Sequence, residues 1–212
     1  MFRNVHKCNC PIGHGRIFLC CRTTCEFQTF LKEVEARKDI PNWLCRFDDD
    51  QYVHVPRLIK LLSHYNPAEH HYLGRFIKPP IEINEDGKRS ILRFHTYGAG
   101  VCFSIRTVME LFPFVLGTNL QNKCMAWKSN DDVTIGRIIT VILNIEAGTL
   151  ENFHSHLSKY YLENLREIFN FKNSSMLQDA ITFGFNNQTV FDGTVDKGIQ
   201  HQMEALHKYF FP

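Results

Sequence analysis

Strand-like apolar runs that alternate with helical patterns predict an α/β sheet fold for this chain. Three observations carry that reading. The run NWLCRF (42–47) stops abruptly at three aspartates, as a buried strand entering a loop does. The next segment, VPRLIKLLSHY, has helical spacing, with Pro56 in a first turn, where proline is favoured. The alternation then repeats along the chain, from the strand-like HYLGRF (71–76) onward.

The size and composition suit such a fold. The chain has 212 residues, enough for one domain or at most two small ones, and 44% of them are hydrophobic. That is the apolar content of a globular core, not of a disordered segment. Lys and Arg total 24 against 22 Asp and Glu, a net charge of +2. Such a balance argues against a nucleic-acid binder held by its overall field. Phe supplies 18 of the aromatic residues, which reads as core, not as base-stacking platforms. No apolar run reaches the roughly 18 residues that a membrane span needs. The opening MFRNVHKCNCPIGHG has no apolar stretch of the signal-peptide kind.

In order along the chain, residues 1–25 are rich in Cys, Gly and basic side chains and read as loop. A helix is expected over about 26–38, where Phe27, Phe30, Leu31 and Val34 recur at helical spacing. Residues 77–90, with two prolines and EDGK, read as a connection or hairpin. GAGVCFS (98–104) reads as a Gly-rich turn into a strand, and RTVMELF as a short helix ended by Pro113. A polar loop follows. Asn130 then caps a largely buried helix over about 131–144. LENLREIF is a further amphipathic helix. Asn173-Ser174-Ser175 and Asn187-Gln188-Thr189 are glycosylation-type tripeptides and lean toward the secretory pathway.

The eight cysteines leave two readings open: a disulfide-bonded lumenal domain, or a reduced or zinc-binding protein. The zinc signal lacks a paired CxxC, and Cys8 and Cys10 with His6 and His14 lack the usual ligand spacing.

Asp48, Asp49 and Asp50 are the strongest chemical signal. Adjacent carboxylates repel unless something positive sits among them. They follow a core strand, and open α/β sheets bind ligands outside the carboxyl ends of their strands. Hard oxygen ligands there suit Mg²⁺ or Mn²⁺ holding a diphosphate. A solvated acidic turn, or a cap for the next helix, is the competing reading. Asp131-Asp132 opens a helix, where acidic residues suit the dipole, but a carboxylate there can also take a proton from a hydroxyl nucleophile. In His154-Ser155-His156 the two imidazoles project to opposite faces of an extended segment, so one of them at most is a metal ligand.

Taken together, W-x-C-x-x-DDD-x-Y-V (Trp43, Cys45, Asp48, Asp49, Asp50, Tyr52, Val53), G-A-G-x-C-x-S, DD-x-TIG and FHSHL, in that order, resemble the Fringe family. Fringe proteins are β-1,3-N-acetylglucosaminyltransferases of glycosyltransferase family 31 type. The resemblance runs from about residue 9 to the mid-170s and weakly beyond. It implies a GT-A-like, Rossmann-like mixed sheet flanked by helices. It also implies a chain that is N-terminally truncated, lacking the first nucleotide-binding strands and the membrane anchor of the family. The chain is read as one partial domain over 1–212, with a Cys-rich start (1–25), a catalytic core (26–175) and a C-terminal segment (176–212).

The activity implied is inverting transfer of N-acetylglucosamine from UDP-GlcNAc to the 3-hydroxyl of O-linked fucose on EGF-like repeats of Notch-type receptors. The compartment implied is the Golgi membrane, lumenal side, and the cofactor Mn²⁺. By position, Asp50 and His156 become metal ligands, Asp49 a donor-sugar contact and Asp132 the catalytic base. The resemblance also implies disulfides Cys10–Cys21 and Cys45–Cys102, and assigns no partner to Cys8, Cys20, Cys25 or Cys124. Tyr97 stands where the family has a small residue before the GAG turn. A non-catalytic relative that binds a glycoprotein through the same surface is the alternative. A hydrolase using the two carboxylate clusters ranks last, because three aspartates at a strand end suit a metal and diphosphate better.

Overall fold

The computed structural model of the chain describes residues 6–13, 15–76, 79–85, 87–155, 178–185 and 198–212. It is a mixed α/β structure. The principal sheet has four strands in the order β1-β6-β3-β7: β1 (Trp43–Arg46), β6 (Val101–Ser104), β3 (Tyr72–Gly74) and β7 (Ala147–Thr149). β6 runs antiparallel to both of its neighbours, and β3 and β7 are parallel. A smaller sheet orders β2 (Gln51–Val53), β9 (Thr182–Gly184) and β8 (Phe153–His154). β4 (Ile81–Glu85) and β5 (Lys88–Leu92) form a separate hairpin, the second of the two readings of residues 77–90.

Helices cover the principal sheet. Phe103 and Tyr72, on adjacent strands, stack with ring centroids 5.4 Å apart. They pack with Phe27, Val108, Leu111, Val115, Leu120, Ile135, Ile138 and Ile139 in one core. A second cluster, around Leu73, Cys102, Phe153 and Ile181, joins the small sheet to α2 (Val55–Leu62). Pro56 lies in the first turn of α2, as the sequence predicts.

Three elements differ from expectation. α1 spans Arg16–Ala36, so the Cys-rich start is helical from Arg16 onward. Its buried positions, Cys20, Thr23, Thr24, Phe27 and Leu31, keep helical spacing, but the first half of that stripe is Cys and Thr. α3 (Ile105–Val115) runs through Pro113 instead of ending there. Burial of Leu111 and Val115 on either side of the proline offsets the lost backbone bond. The expected polar loop contains α4 (Asn119–Ala126), held by buried Leu120 and Cys124. α5 (Asp131–Arg137) continues as a π-helical turn over Ile138–Ile142. Asn130 occupies the N-cap position, though its side chain makes no cap bond. The last helix, α6 (Gly198–Phe210), follows residues outside those described. LENLREIF and both glycosylation-type tripeptides also lie outside the described residues.

All eight cysteines are bridged. Cys10–Cys21 and Cys45–Cys102, the two pairs implied by the resemblance, are joined by Cys8–Cys25 and Cys20–Cys124. Three of the four fasten α1. The Cys20–Cys124 bridge, with a sequence separation of 104, ties α1 to α4 across the core. Long loops of this kind confine the unfolded chain most. The Cys20→Ala/Cys124→Ala protein is therefore expected to lose about 2–5 kcal/mol of stability. Urea unfolding followed by circular dichroism would show this as a lower midpoint with most of the helical signal retained.

Candidate functional site

β1 ends in a tight turn. Gln51 N–H donates to the Asp48 carbonyl (3.2 Å), and Asp48 N–H donates to Gln51 Oε1 (3.1 Å). This turn fixes the aspartate triplet at the end of a strand of the principal sheet. Asp49 is exposed, Asp48 and Asp50 are half-buried, and the Asp50 carbonyl accepts from Phe185 N–H (2.8 Å) next to β9.

The Gly-rich turn is packed directly against the triplet. Gln51 Nε2 donates to the Gly98 carbonyl (2.7 Å). Gly100 has φ +88, and a Cβ there would come within 2.5 Å of the Phe47 ring, the residue just before the aspartates. Only glycine allows both the backbone angle and this close approach. Thr182 Oγ1 donates to the Ala99 carbonyl (2.8 Å) and accepts from His154 N–H (2.9 Å). One buried threonine thus joins the turn to the FHSHL segment.

Asp131 and Asp132 open α5 and differ sharply. Asp131 is buried, accepts a hydrogen bond from Thr23 on α1 (2.7 Å) and lies 3.7 Å from the Arg46 guanidinium. Asp132 is half-buried and accepts from Val133 N–H (2.7 Å). Burial, then the neighbouring Asp131 charge, raises its pKa from 3.8 to about 6, although Val133 N–H and Arg46 pull it down. Asp132 is thus a carboxylate placed to exchange a proton near neutral pH. Gly136 brings α5 against the chain after β5, where a Cβ would meet Phe94 Cβ at 2.3 Å.

Arg46 joins the two acidic clusters. It pairs with Glu26 (2.6 Å), Asp48 (3.0 Å) and Asp131, and its guanidinium lies 4.1 Å over the Tyr97 ring. Burial opposes its charge, but Glu26 and Asp48, with smaller help from Tyr97 and Asp131, hold its pKa above the ordinary value. Tyr97 is itself buried, and its pKa is raised well above the usual phenol, chiefly by that burial. The sequence carried one trace of this role: a lone cation inside an apolar strand, two residues before three aspartates.

His154 faces inward. Its Nδ1 lies 3.0 Å from the Arg75 guanidinium, and burial, then that charge, lowers its pKa to about 4. It is neutral at physiological pH. His156 lies outside the described residues. Among the described residues no group of three or more His, Cys, Asp or Glu side chains converges on one metal position. The carboxylates of the 48–50 turn are nonetheless hard oxygen donors: Asp49 is exposed, Asp48 Oδ1 is bonded to Arg46, and Asp50 Oδ1 is buried. Oxygen donors of this kind are the ones that Mg²⁺ and Mn²⁺ prefer.

The structure therefore brings together the triplet, the Gly-rich turn, His154 and the start of α5. The residues that do so, Gln51, Thr182, Arg46 and Thr23, were not singled out by sequence reasoning.

Comparison with known proteins identifies the family. The family model described as Fringe-like matches residues 1–204. The Fringe glycosyltransferase of Drosophila melanogaster is 33% identical over 96% of this chain and 49% of its own length. The β-1,3-N-acetylglucosaminyltransferase lunatic fringe of Xenopus laevis is 34% identical over 79% of this chain and 44% of its own. The human lunatic fringe protein is 30% identical over 86% and 46%. The chain spans about half the length of the curated relatives it matches.

A raised carboxyl pKa is also a stability statement. The fold favours protonated Asp132, so its stabilising contribution is full below about 4 and is lost as pH rises through about 6. Asp132→Asn mimics the protonated form. It is expected to melt higher than the parent above pH 6, with the difference vanishing below pH 4. Thermal unfolding across that range checks it.

Proposed function

This chain belongs to the Fringe-like family, and on that premise we propose that it carries the catalytic part of an inverting transferase. The donor is UDP-GlcNAc, and the acceptor is the 3-hydroxyl of O-linked fucose on EGF-like repeats of Notch-type receptors. The work is done on the lumenal side of the Golgi membrane. The observation that carries the reading is the pairing of two unlike carboxylate sites at one end of the sheet. One is a turn of three aspartates with Asp49 exposed. The other is a single carboxylate with a raised pKa at a helix start.

In this reading Asp50, with His156, holds Mn²⁺, and Asp49 contacts the donor sugar. The ion supplies positive charge against the departing nucleoside diphosphate. Asp132 accepts the proton of the fucose 3-hydroxyl as that oxygen attacks the anomeric carbon. A base with a pKa near 6 is ionised at the mildly acidic to neutral pH where it must work, yet basic enough to take the proton. Attack from the side opposite the leaving group inverts the sugar carbon. The buried Gly98–Gly100 backbone, held by Gln51 and Thr182, packs closely behind the triplet. His154, buried against Arg75, orients the segment that leads to His156.

The two carboxylate sites separate by mutation. Asp132→Asn keeps shape and helix start but cannot accept the proton. It is expected to lower transfer to an O-fucosylated EGF repeat by about 10²–10⁴-fold while UDP binding with Mn²⁺ persists. Asp50→Asn is expected to lose Mn²⁺-dependent UDP binding together with transfer. Calorimetry of UDP against each protein, with and without Mn²⁺, distinguishes them. Loss of UDP binding in Asp132→Asn, or its retention in Asp50→Asn, would reverse the division of roles. UDP binding indifferent to Mn²⁺ would instead favour a non-catalytic glycoprotein-binding relative.

A further inference from the structure

Arg46 belongs to neither carboxylate cluster, yet it touches both. Its Nη1 donates to Asp48 Oδ1 (3.0 Å), in the turn that carries the triplet. Its Nη2 lies 3.7 Å from Asp131 Oδ2, beside Asp132. Its Nε donates to Glu26 on α1 (2.6 Å), and Tyr97 lies flat beneath it at 4.1 Å. The side chain is 12% exposed and that of Asp131 5%, so this edge of the network is screened from water. The Glu26 and Asp48 carboxylates are 43% and 35% exposed, and their bonds are correspondingly weaker.

We propose that Arg46 is the positioning residue of this site: its guanidinium ties the turn carrying the aspartate triplet to the helix start carrying Asp132. The proposal rests on the transferase reading for the roles of Asp50 and Asp132, but the tie is a feature of the fold.

The physical case has three parts. A guanidinium presents several donors in one rigid plane, so it bonds carboxylates in different directions at once, which an ammonium cannot. The plane is set by its surroundings. Cys45, the preceding residue, is bridged to Cys102 on the facing strand, and the Tyr97 ring fixes the tilt. Without Arg46, Asp131 would be a buried carboxylate facing Asp132 with only Thr23 as a partner among the described contacts, a costly arrangement.

Arg46 also sets the field at Asp132. Asp131 and Asp48 push its pKa up, Arg46 and the Val133 N–H pull it down, and the Tyr72 and Tyr97 phenols feel its charge. From α1, the neighbouring contributions are neutral Thr23 and, through Arg46, Glu26.

The test follows the Asp132 carboxyl by carbon NMR titration of the 212-residue chain, its resonance assigned with Asp132→Asn. Arg46→Met and Arg46→Gln both remove the charge, and Gln keeps some hydrogen bonding should Met fail to fold. Arg46→Lys keeps the charge without the fork. The midpoint is expected to rise by about half a unit or more in the neutral variants and to return toward the parent value in Arg46→Lys. The acid limb of transfer against pH should move the same way, with a fall in kcat. An unmoved midpoint in a neutral variant that keeps all four disulfides and the parent near-ultraviolet spectrum overturns the proposal. Absence of UDP binding by the parent chain would defeat the transferase reading, and the titration would still decide the role of Arg46.

Discussion

Like charges gathered at one end of a sheet must be balanced, and here a half-buried arginine does so. The register of β1 on β6 decides where that arginine points. Cys45 lies opposite Cys102 and Arg46 opposite Val101, and the Cys45–Cys102 bridge locks the pairing. A slip of one residue would turn Arg46 to the other face of the sheet. It would leave Asp48 and Asp131 without their shared partner and carry the triplet off its place beside the Gly-rich turn. The site thus depends on strand register first and on local acidic chemistry second.

The N-terminal helix is the second support. It reaches α5 through Thr23, α4 through Cys20 and the strand cation through Glu26. Its own start is stapled by Cys8–Cys25 and Cys10–Cys21. A helix with little apolar contrast between its faces would be a weak lid by hydrophobic packing alone. Covalent links to its surroundings replace the missing driving force. The concentration of cysteines in the first 25 residues, which reads as loop chemistry in isolation, is the chemistry of this anchorage.

Small polar side chains complete the frame. Gln51 holds the triplet turn to Gly98, and Thr182 holds Ala99 to His154. Each satisfies a buried backbone group that the irregular turn leaves unpaired, and each joins segments distant in sequence. The Fringe-like motifs converge because these ordinary residues connect them.

Much of this was legible in the sequence because it is local. Apolar runs, Pro56 and the Gly-rich turn give β1, α2, β3 and β6 from neighbours a few residues apart. The spacing of Trp43, Cys45, the aspartates, GAG, DD-x-TIG and FHSHL identifies the family. What the tertiary structure alone decided is long-range. It extended a helix back to Arg16 by burying Cys and Thr, carried α3 through Pro113, and built α4 around Cys124. It paired Cys8, Cys20, Cys25 and Cys124, a choice that spacing leaves open because pairing depends on which segments pack together. It also separated Asp131 from Asp132. The two are adjacent and identical in the sequence, but Thr23 and Arg46 make Asp131 a structural anchor, while burial and the Asp131 charge raise the pKa of Asp132. Burial and charge act through space, so a property set by residues 85 and 108 positions away cannot be read from the chain that carries it.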